Sequence, residues 1–315
     1  MRIRQILSTW EYKDMKSSSI TIYNIQVFDC NTIRDDMSNL REKINPFFMY
    51  GTAWKENRTE NLTLMSLQSG FRAIDTANQK KHYFEEGVGK GITRFLESED
   101  FQRQDLFIQT KFTYEEGQDK RLPYDPKADY PTQVKQSFQS SLDHLKTDYI
   151  DSYILHGPST DKGLADKDYE VWETMESLQK DRLTKYIGIS NVSANQLQLL
   201  IDKASIKPTF VQNRCFARLG WDKMIREICY ENDIIYQGFS LLTANRNFIS
   251  DPRIKQIAAS YGEPTPSIIF SFAKQIGILP LTGTSKQVHM NQDLLGIDIK
   301  LTNEEIHLIQ SIADI

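Results

Sequence analysis

Eight short runs rich in β-branched and aromatic residues, each closed by turn residues and separated by longer segments of helical periodicity, constrain this chain most. The runs are FFMYGTA (47–53), RAIDTA (72–77), DLFIQTKF (105–112), YIDSYILH (149–156), TKYIGISN (184–191), TFVQNR (209–214), IIYQGFS (234–240) and ILPLTG (278–283). Their length and composition mark them as strands. Between them, Val134, Phe138, Leu142 and Leu145 fall on one face of a helix over 131–146, with Pro131 at its start. Over 57–69, Asn57 and Glu60 offer an N-terminal cap ahead of Leu62, Met65 and Leu67, and Gly70 closes the helix. Segments 168–180, 194–204, 219–232, 285–295 and 303–313 read the same way.

Strands that alternate with helices pair in parallel, because parallel neighbours need a crossover and the crossover is usually helical. Residues 45–315 are close to the ~250 residues of a (β/α)8 TIM barrel, which is the α/β fold expected here. A doubly wound open sheet is the runner-up; it is disfavoured because the first βα turn lacks a glycine-rich phosphate loop. Residues 1–44 stand outside the repeat as an N-terminal extension. SITIYNIQVF there reads as a strand or half a hairpin at the barrel floor, and the rest as partly disordered.

Composition narrows the function classes. A chain of 315 residues with 39% apolar and 25% charged content is ordinary for a globular enzyme-sized protein, and its net charge of −4 gives no reason to expect a nucleic-acid partner. Cys30, Cys215 and Cys229 are odd in number and scattered, so neither a disulfide framework nor a zinc site is expected. The start, MRIRQILSTWEYKDMK, fits neither a signal nor a transit peptide, and no apolar run is long enough to cross a bilayer. A soluble, cytoplasmic protein with no membrane partner, a monomer or weak homodimer, is the expectation. HExxH, Walker A and GxSxG motifs are absent; GVGKG (87–91) lies in a helical region and reads as small residues for close helix-strand packing.

In a (β/α)8 barrel, polar residues at the carboxyl ends of the strands face the active site. Here these are Asp75, Lys111, His156, Ser190 with Asn191, Gln212, and Ser240 behind Phe239. A buried acid–base pair such as Asp75 with Lys111 is often purely structural, and a lone histidine past a strand more often satisfies the backbone. Next to a tyrosine, however, a lysine ammonium stabilises the phenolate and lowers its pKa toward the working range of a general acid.

At these residues the chain resembles the aldo-keto reductases, from about residue 46 to the end. GFRAIDTA with GVGKGI, IQTKF, SSLDHLKTDYIDSYILHGP, KYIGISNVSANQLQLLI, VQNR, GFSLL and LPLTGTSKQVHMNQDL are similar, in order, to successive segments of that family. The resemblance implies a nicotinamide-dependent reduction of a small aldehyde or ketone, with Asp75, Lys111 and His156 as three members of a catalytic Asp, Tyr, Lys, His set. It also implies that Ser190, Asn191 and Gln212 hold the carboxamide, that the ring stacks on Phe239 where tyrosine is usual, and that Ser240 and Leu242 contact the pyrophosphate. Thr284, Ser285 and Lys286 would hold a 2′-phosphate, with Gln292 and Asp293 near the adenine. His289 stands where an arginine often clamps that phosphate, so NADPH is favoured and NADH remains possible. Trp54 would shape the substrate pocket together with 113–130, read as a mobile polar loop.

The stretch RAIDTANQKKHYFEEGVGKG (72–91) departs from the family pattern. Counting forward from Asp75 places the family tyrosine at Lys80; counting back from Gly89 places it at His82, beside Tyr83, because the loop is longer than usual. Three readings stay open: Tyr83 as the acid, which suits the chemistry best; His82 as the acid; or a catalytically weak or inactive cofactor-binding protein with Tyr83 packed on the rim. Lys80 and Lys81 read as solvent-facing.

Overall fold

The computed structural model describes residues 48–312. Eight strands, β1 (Met49–Gly51), β2 (Ala73–Asp75), β3 (Phe107–Phe112), β4 (Ile150–Leu155), β5 (Thr184–Ser190), β6 (Phe210–Arg214), β7 (Ile235–Phe239) and β8 (Leu279–Thr282), close into one barrel in sequence order. Every neighbouring pair is parallel, and β8 returns to β1 through Met49 opposite Leu281 and Tyr50 opposite Thr282. Each of the eight expected strands is present, and the expected (β/α)8 barrel is the fold. The expectations for residues 1–44 lie outside the described residues, as does the last residue of the helix expected over 303–313.

Strand alternation builds two apolar layers. Tyr50, Ile74, Ile108, Val211 and Tyr236 point outward against the helices. Their chain neighbours Met49, Ala73, Phe107, Phe210 and Ile235 point inward and pack with Ile154, Leu279 and Leu281. This is the period of two that a strand imposes. One inward step further along the chain, the apolar floor gives way to Asp75 above Ala73, Gln109 above Phe107, Gln212 above Phe210 and Gln237 above Ile235. All four are buried.

The helices are α1 (Thr59–Ser69), α2 (Glu85–Ser98), α3 (Tyr130–Leu145), α4 (Asp166–Lys180), α5 (Ala194–Lys203), α6 (Lys223–Glu231), α7 (Arg246–Ile249), α8 (Pro252–Tyr261), α9 (Thr265–Gln275), α10 (Gln287–Gly296) and α11 (Asn303–Ser311). Gly70 ends α1 in a left-handed conformation (φ 117°), as expected. The cap expected from Asn57 and Glu60 does not form: a 3-10 turn over Glu56–Arg58 leads in, and Arg58 stands at the N-cap without a side-chain bond. The helix expected over 219–232 is shorter, because Trp221 and Asp222 take left-handed backbone (φ 58° and 59°) before α6. Helices α7 to α9 were not expected. The core segment of α9, SIIFSFA, is buried throughout, so no polar face marks its period.

The glycines of GVGKG serve helix–helix rather than helix–strand packing. A Cβ on Gly89 would lie 2.0 Å from the His144 carbonyl at the end of α3, and one on Gly91 would lie 2.7 Å from the Glu60 carbonyl of α1. Only glycine admits so close an approach. This packing sets where α2 begins, and with it the loop that carries Tyr83.

Candidate active site

Lys111, on the inward face of β3, is fully buried beside Asp75 at the end of β2. Its Nζ donates to Asp75 Oδ1 at 2.6 Å and to the Thr76 carbonyl at 2.7 Å. The same carboxylate oxygen accepts from Gln109 Nε2 at 2.7 Å and from Gln212 Nε2 at 3.0 Å. Gln237 accepts from both amides on Oε1, at 2.8 and 2.9 Å, and donates back to Gln109 at 2.9 Å. Such a network offsets the cost of taking two charges out of water. Burial pulls the Lys111 pKa below its usual value, while the Asp75 charge opposes that shift.

Residues 76–84 leave β2 and cross above this pair. Tyr83 is half-buried, with Lys111 Nζ 5.4 Å from its ring centroid. Its ring meets that of His156 edge-on, 6.0 Å between centroids at 68°. His82 turns the other way: its ring packs on Trp54, 4.0 Å between centroids at 37°, and its Nδ1 lies 2.9 Å from Gln79 Oε1. Of the two candidates, Tyr83 is the one placed beside Lys111 and His156. The expected lowering of the phenol pKa is not found. Burial, and then the Asp75 carboxylate, raise it, so Tyr83 holds its proton.

His156, one residue past β4, is half-buried and neutral, because burial and then the Lys111 charge push its pKa down to about 3. Its Nδ1 is 2.7 Å from the Thr113 hydroxyl. Thr113 is buried, and among the described residues its hydroxyl has no other partner. Were Nδ1 the donor, that hydroxyl proton would be stranded. The hydroxyl therefore donates to Nδ1, which leaves the His156 proton on Nε2 as a hydrogen-bond donor.

The residues expected to hold a nicotinamide line the β5, β6 and β7 ends. Ser190 Oγ donates to the Gln212 carbonyl at 2.6 Å, and Asn191 Nδ2 donates to the His156 carbonyl at 2.8 Å. Gln212 Nε2 is committed to Asp75 and Gln237, so its Oε1 is the atom left for an incoming N–H. Phe239 is half-buried, with the Arg214 guanidinium 5.6 Å from its ring centroid. Asn191 and Ser240 take left-handed backbone (φ 52° and 58°), as does Trp54 (φ 61°). Glu56, Lys146, Arg182, Trp221, Asp222 and Asp233 share that conformation elsewhere, so it does not mark the site by itself. A ring face and a spare amide oxygen at the strand ends fit a nicotinamide.

Around β8 the structure is more open. Ser285, Lys286 and His289 are exposed, Thr284 and Gln292 are half-buried, and Thr284 Oγ1 lies 3.5 Å from His289 Nδ1. Leu242 packs against the core beside Ser240. Asp293, expected near an adenine, faces the protein interior. It is buried, accepts from Thr282 Oγ1 at 2.9 Å, and burial pushes its pKa up to about 6.

Two further expectations change. The 113–130 segment is pinned rather than mobile: Tyr114 and Tyr124 are buried, and their hydroxyls donate to Asp168 at 2.9 Å and to the Thr113 carbonyl at 2.8 Å. Lys80 is half-buried and pairs with Glu86 at 3.2 Å, while Lys81 is exposed as expected. Sequence reasoning missed Gln109, Gln237, Thr113, Gln79 and Lys55; the buried Lys55 Nζ donates to the Gly283 carbonyl. Gln109 and Gln237 were within reach, since they sit two residues before Lys111 and Phe239 and so share their faces.

Known proteins resemble this chain in sequence and fold. The chain is 29% identical over 269 residues to glyoxal reductase of Bacillus subtilis, covering 85% of this chain and 88% of that protein. It is 29% identical over 273 residues to the NAD(P)H-dependent 6'-deoxychalcone synthase of Glycine max, covering 81% and 82%. Among solved structures, an aldo/keto reductase from Brucella melitensis superposes with a TM-score of 0.71 at 25% identity, covering 85% of this chain and 95% of that one. The sequence pattern of the Aldo/keto reductase family matches residues 49–314, and this chain belongs to that family of oxidoreductases.

Proposed function

We propose that the protein reduces a small aldehyde or ketone to the alcohol, with NADPH as the electron donor and Tyr83 as the proton donor. The observation that carries this reading is the position of Tyr83, which lies beside Lys111 and edge-on to His156 while His82 is drawn away onto Trp54. The reduced nicotinamide supplies the hydride. Tyr83, kept protonated by burial, gives its proton to the developing alkoxide oxygen. Lys111, held by Asp75, places a positive charge where that phenol turns anionic, which lowers the barrier electrostatically. His156 donates from Nε2 to the carbonyl oxygen and orients it.

The chain's own residues also support the cofactor assignment. Gln212 and Asn191 suit a carboxamide, Phe239 a flat ring, and exposed Lys286 with Ser285 a 2′-phosphate. The NAD(P)H-dependent relative from Glycine max points the same way, without choosing between NADPH and NADH.

Tyr83→Phe and His82→Ala, assayed by NADPH absorbance with 4-nitrobenzaldehyde and checked for folding, test the reading. Tyr83→Phe should lose roughly 10²- to 10⁴-fold in kcat, and His82→Ala far less. Full activity in Tyr83→Phe would move the acid elsewhere. Cofactor binding by the wild type without consumption across an aldehyde panel would instead favour a binding protein that does not turn over.

A further inference from the structure

His82 remains unused by this mechanism, yet its hydrogen-bonding state is fixed as firmly as that of His156. Gln79 Nε2 donates to the Gly117 carbonyl at 2.7 Å, which fixes which way round the amide lies. Its Oε1 therefore faces His82 Nδ1 at 2.9 Å. An amide oxygen only accepts, so the His82 proton is on Nδ1 and Nε2 carries a lone pair. Burial, and then the charge of Lys81, lower the pKa of this imidazole and favour the neutral ring.

The ring is also held in place. The Trp54 backbone N–H donates to the His82 carbonyl at 2.7 Å, and the indole ring packs against the imidazole, with the residue 66% exposed. Among the described residues no protein group bonds Nε2. Tyr83, the next residue along the chain, meets the His156 ring at 6.0 Å, so both imidazoles border the cleft around Tyr83. One presents an N–H and the other a bare nitrogen, with an exposed aromatic face alongside.

From this arrangement, and resting on the reductase reading above, we infer that His82 is a specificity-determining residue: Nε2 accepts a hydrogen bond from a hydroxyl on the carbonyl substrate, so the site prefers hydroxylated aldehydes over alkyl aldehydes. His156 holds the carbonyl oxygen, and His82 holds a donor carried on the same short chain. A site built to bond a hydroxyl leaves a polar atom unpaired when the hydroxyl is missing, and it discriminates on that account.

Two measurements test this. In the free protein, 15N NMR of labelled histidines should show His82 protonated on Nδ1 and His156 on Nε2; a His82 ring protonated on Nε2 overturns the inference without touching the reductase reading. In kinetics, the ratio of kcat/KM for glyceraldehyde to that for butanal is read in wild type, His82→Phe and Gln79→Met. His82→Phe keeps a ring against Trp54 and removes the acceptor, and Gln79→Met removes the group that fixes the tautomer. The ratio should fall roughly three- to tenfold in His82→Phe, the worth of one hydrogen bond, and fall also in Gln79→Met. An unchanged ratio in both overturns the inference. If the wild type consumes NADPH with 4-nitrobenzaldehyde but turns over neither of these two, this inference falls and the reductase reading stands; if it consumes NADPH with none of the three, both fall.

Discussion

The two sides of the site are held by different physics. On the β2–β3 side, Asp75 and Lys111 are buried and bonded through a ring of three glutamines. Their geometry is set before any ligand arrives. On the β8–α10 side, Ser285, Lys286 and His289 are exposed, and the Thr284–His289 contact is long at 3.5 Å. On the proposed reading, chemistry that must place a proton within a fraction of an ångström sits where packing is dense, and charge recognition, which tolerates looser geometry, sits in solvent.

Breaking the buried side should cost most. Lys111→Met leaves the Asp75 carboxylate buried without its cation, so stability in urea should fall by roughly 3–5 kcal/mol and hydride transfer should be lost. Retention of wild-type stability would show that the glutamines alone carry the charge. A smaller effect is expected at the rim of the same region. Thr113→Val removes the donor that fixes His156 and should lower kcat roughly tenfold, whereas Thr113→Ser should keep most of it.

His156 also gives a pH signature. Its folded pKa of about 3 lies below the ordinary histidine value of 6.5, so the unfolded chain takes up a proton first as pH falls. Stability is therefore lost as pH drops from about 6.5 toward 3, at no more than about 1.4 kcal/mol per pH unit. His156→Gln should flatten that part of the curve of urea midpoint against pH. The smallest effect should come from the exposed side: Lys286→Ala should weaken NADPH binding by roughly tenfold or less, more at low salt than at high, with Tm within a degree or two. A large loss of Tm would erase the contrast between the two sides.

Much of the fold could be read along the chain. The strands carry dense β-branched signals, and a strand's period of two put Asp75, Lys111 and Gln212 on inward faces without any knowledge of their neighbours. Helix starts were harder. Arg58 caps α1 only because a 3-10 turn precedes it, and α9 is buried nearly all round, so neither leaves a local mark. The 113–130 segment looks mobile from its charges and prolines, yet the Tyr114 hydroxyl ties it to Asp168 far along the chain and the Tyr124 hydroxyl folds it back on its own Thr113.

The loop before α2 divides the two kinds of information most sharply. By itself the sequence determined that a barrel forms, that an acid and a lysine meet at its mouth, and that a tyrosine and a histidine stand side by side in an overlong loop. Which of the two turns inward was decided by tertiary structure alone. Gly89 and Gly91 let α2 settle against α3 and α1, while Gln79 and Trp54 hold His82 to one side and leave Tyr83 over Lys111. His82 and Tyr83 sit in the same irregular stretch with no strand or helix period to assign them a face, so contacts made in the folded chain give them different tasks.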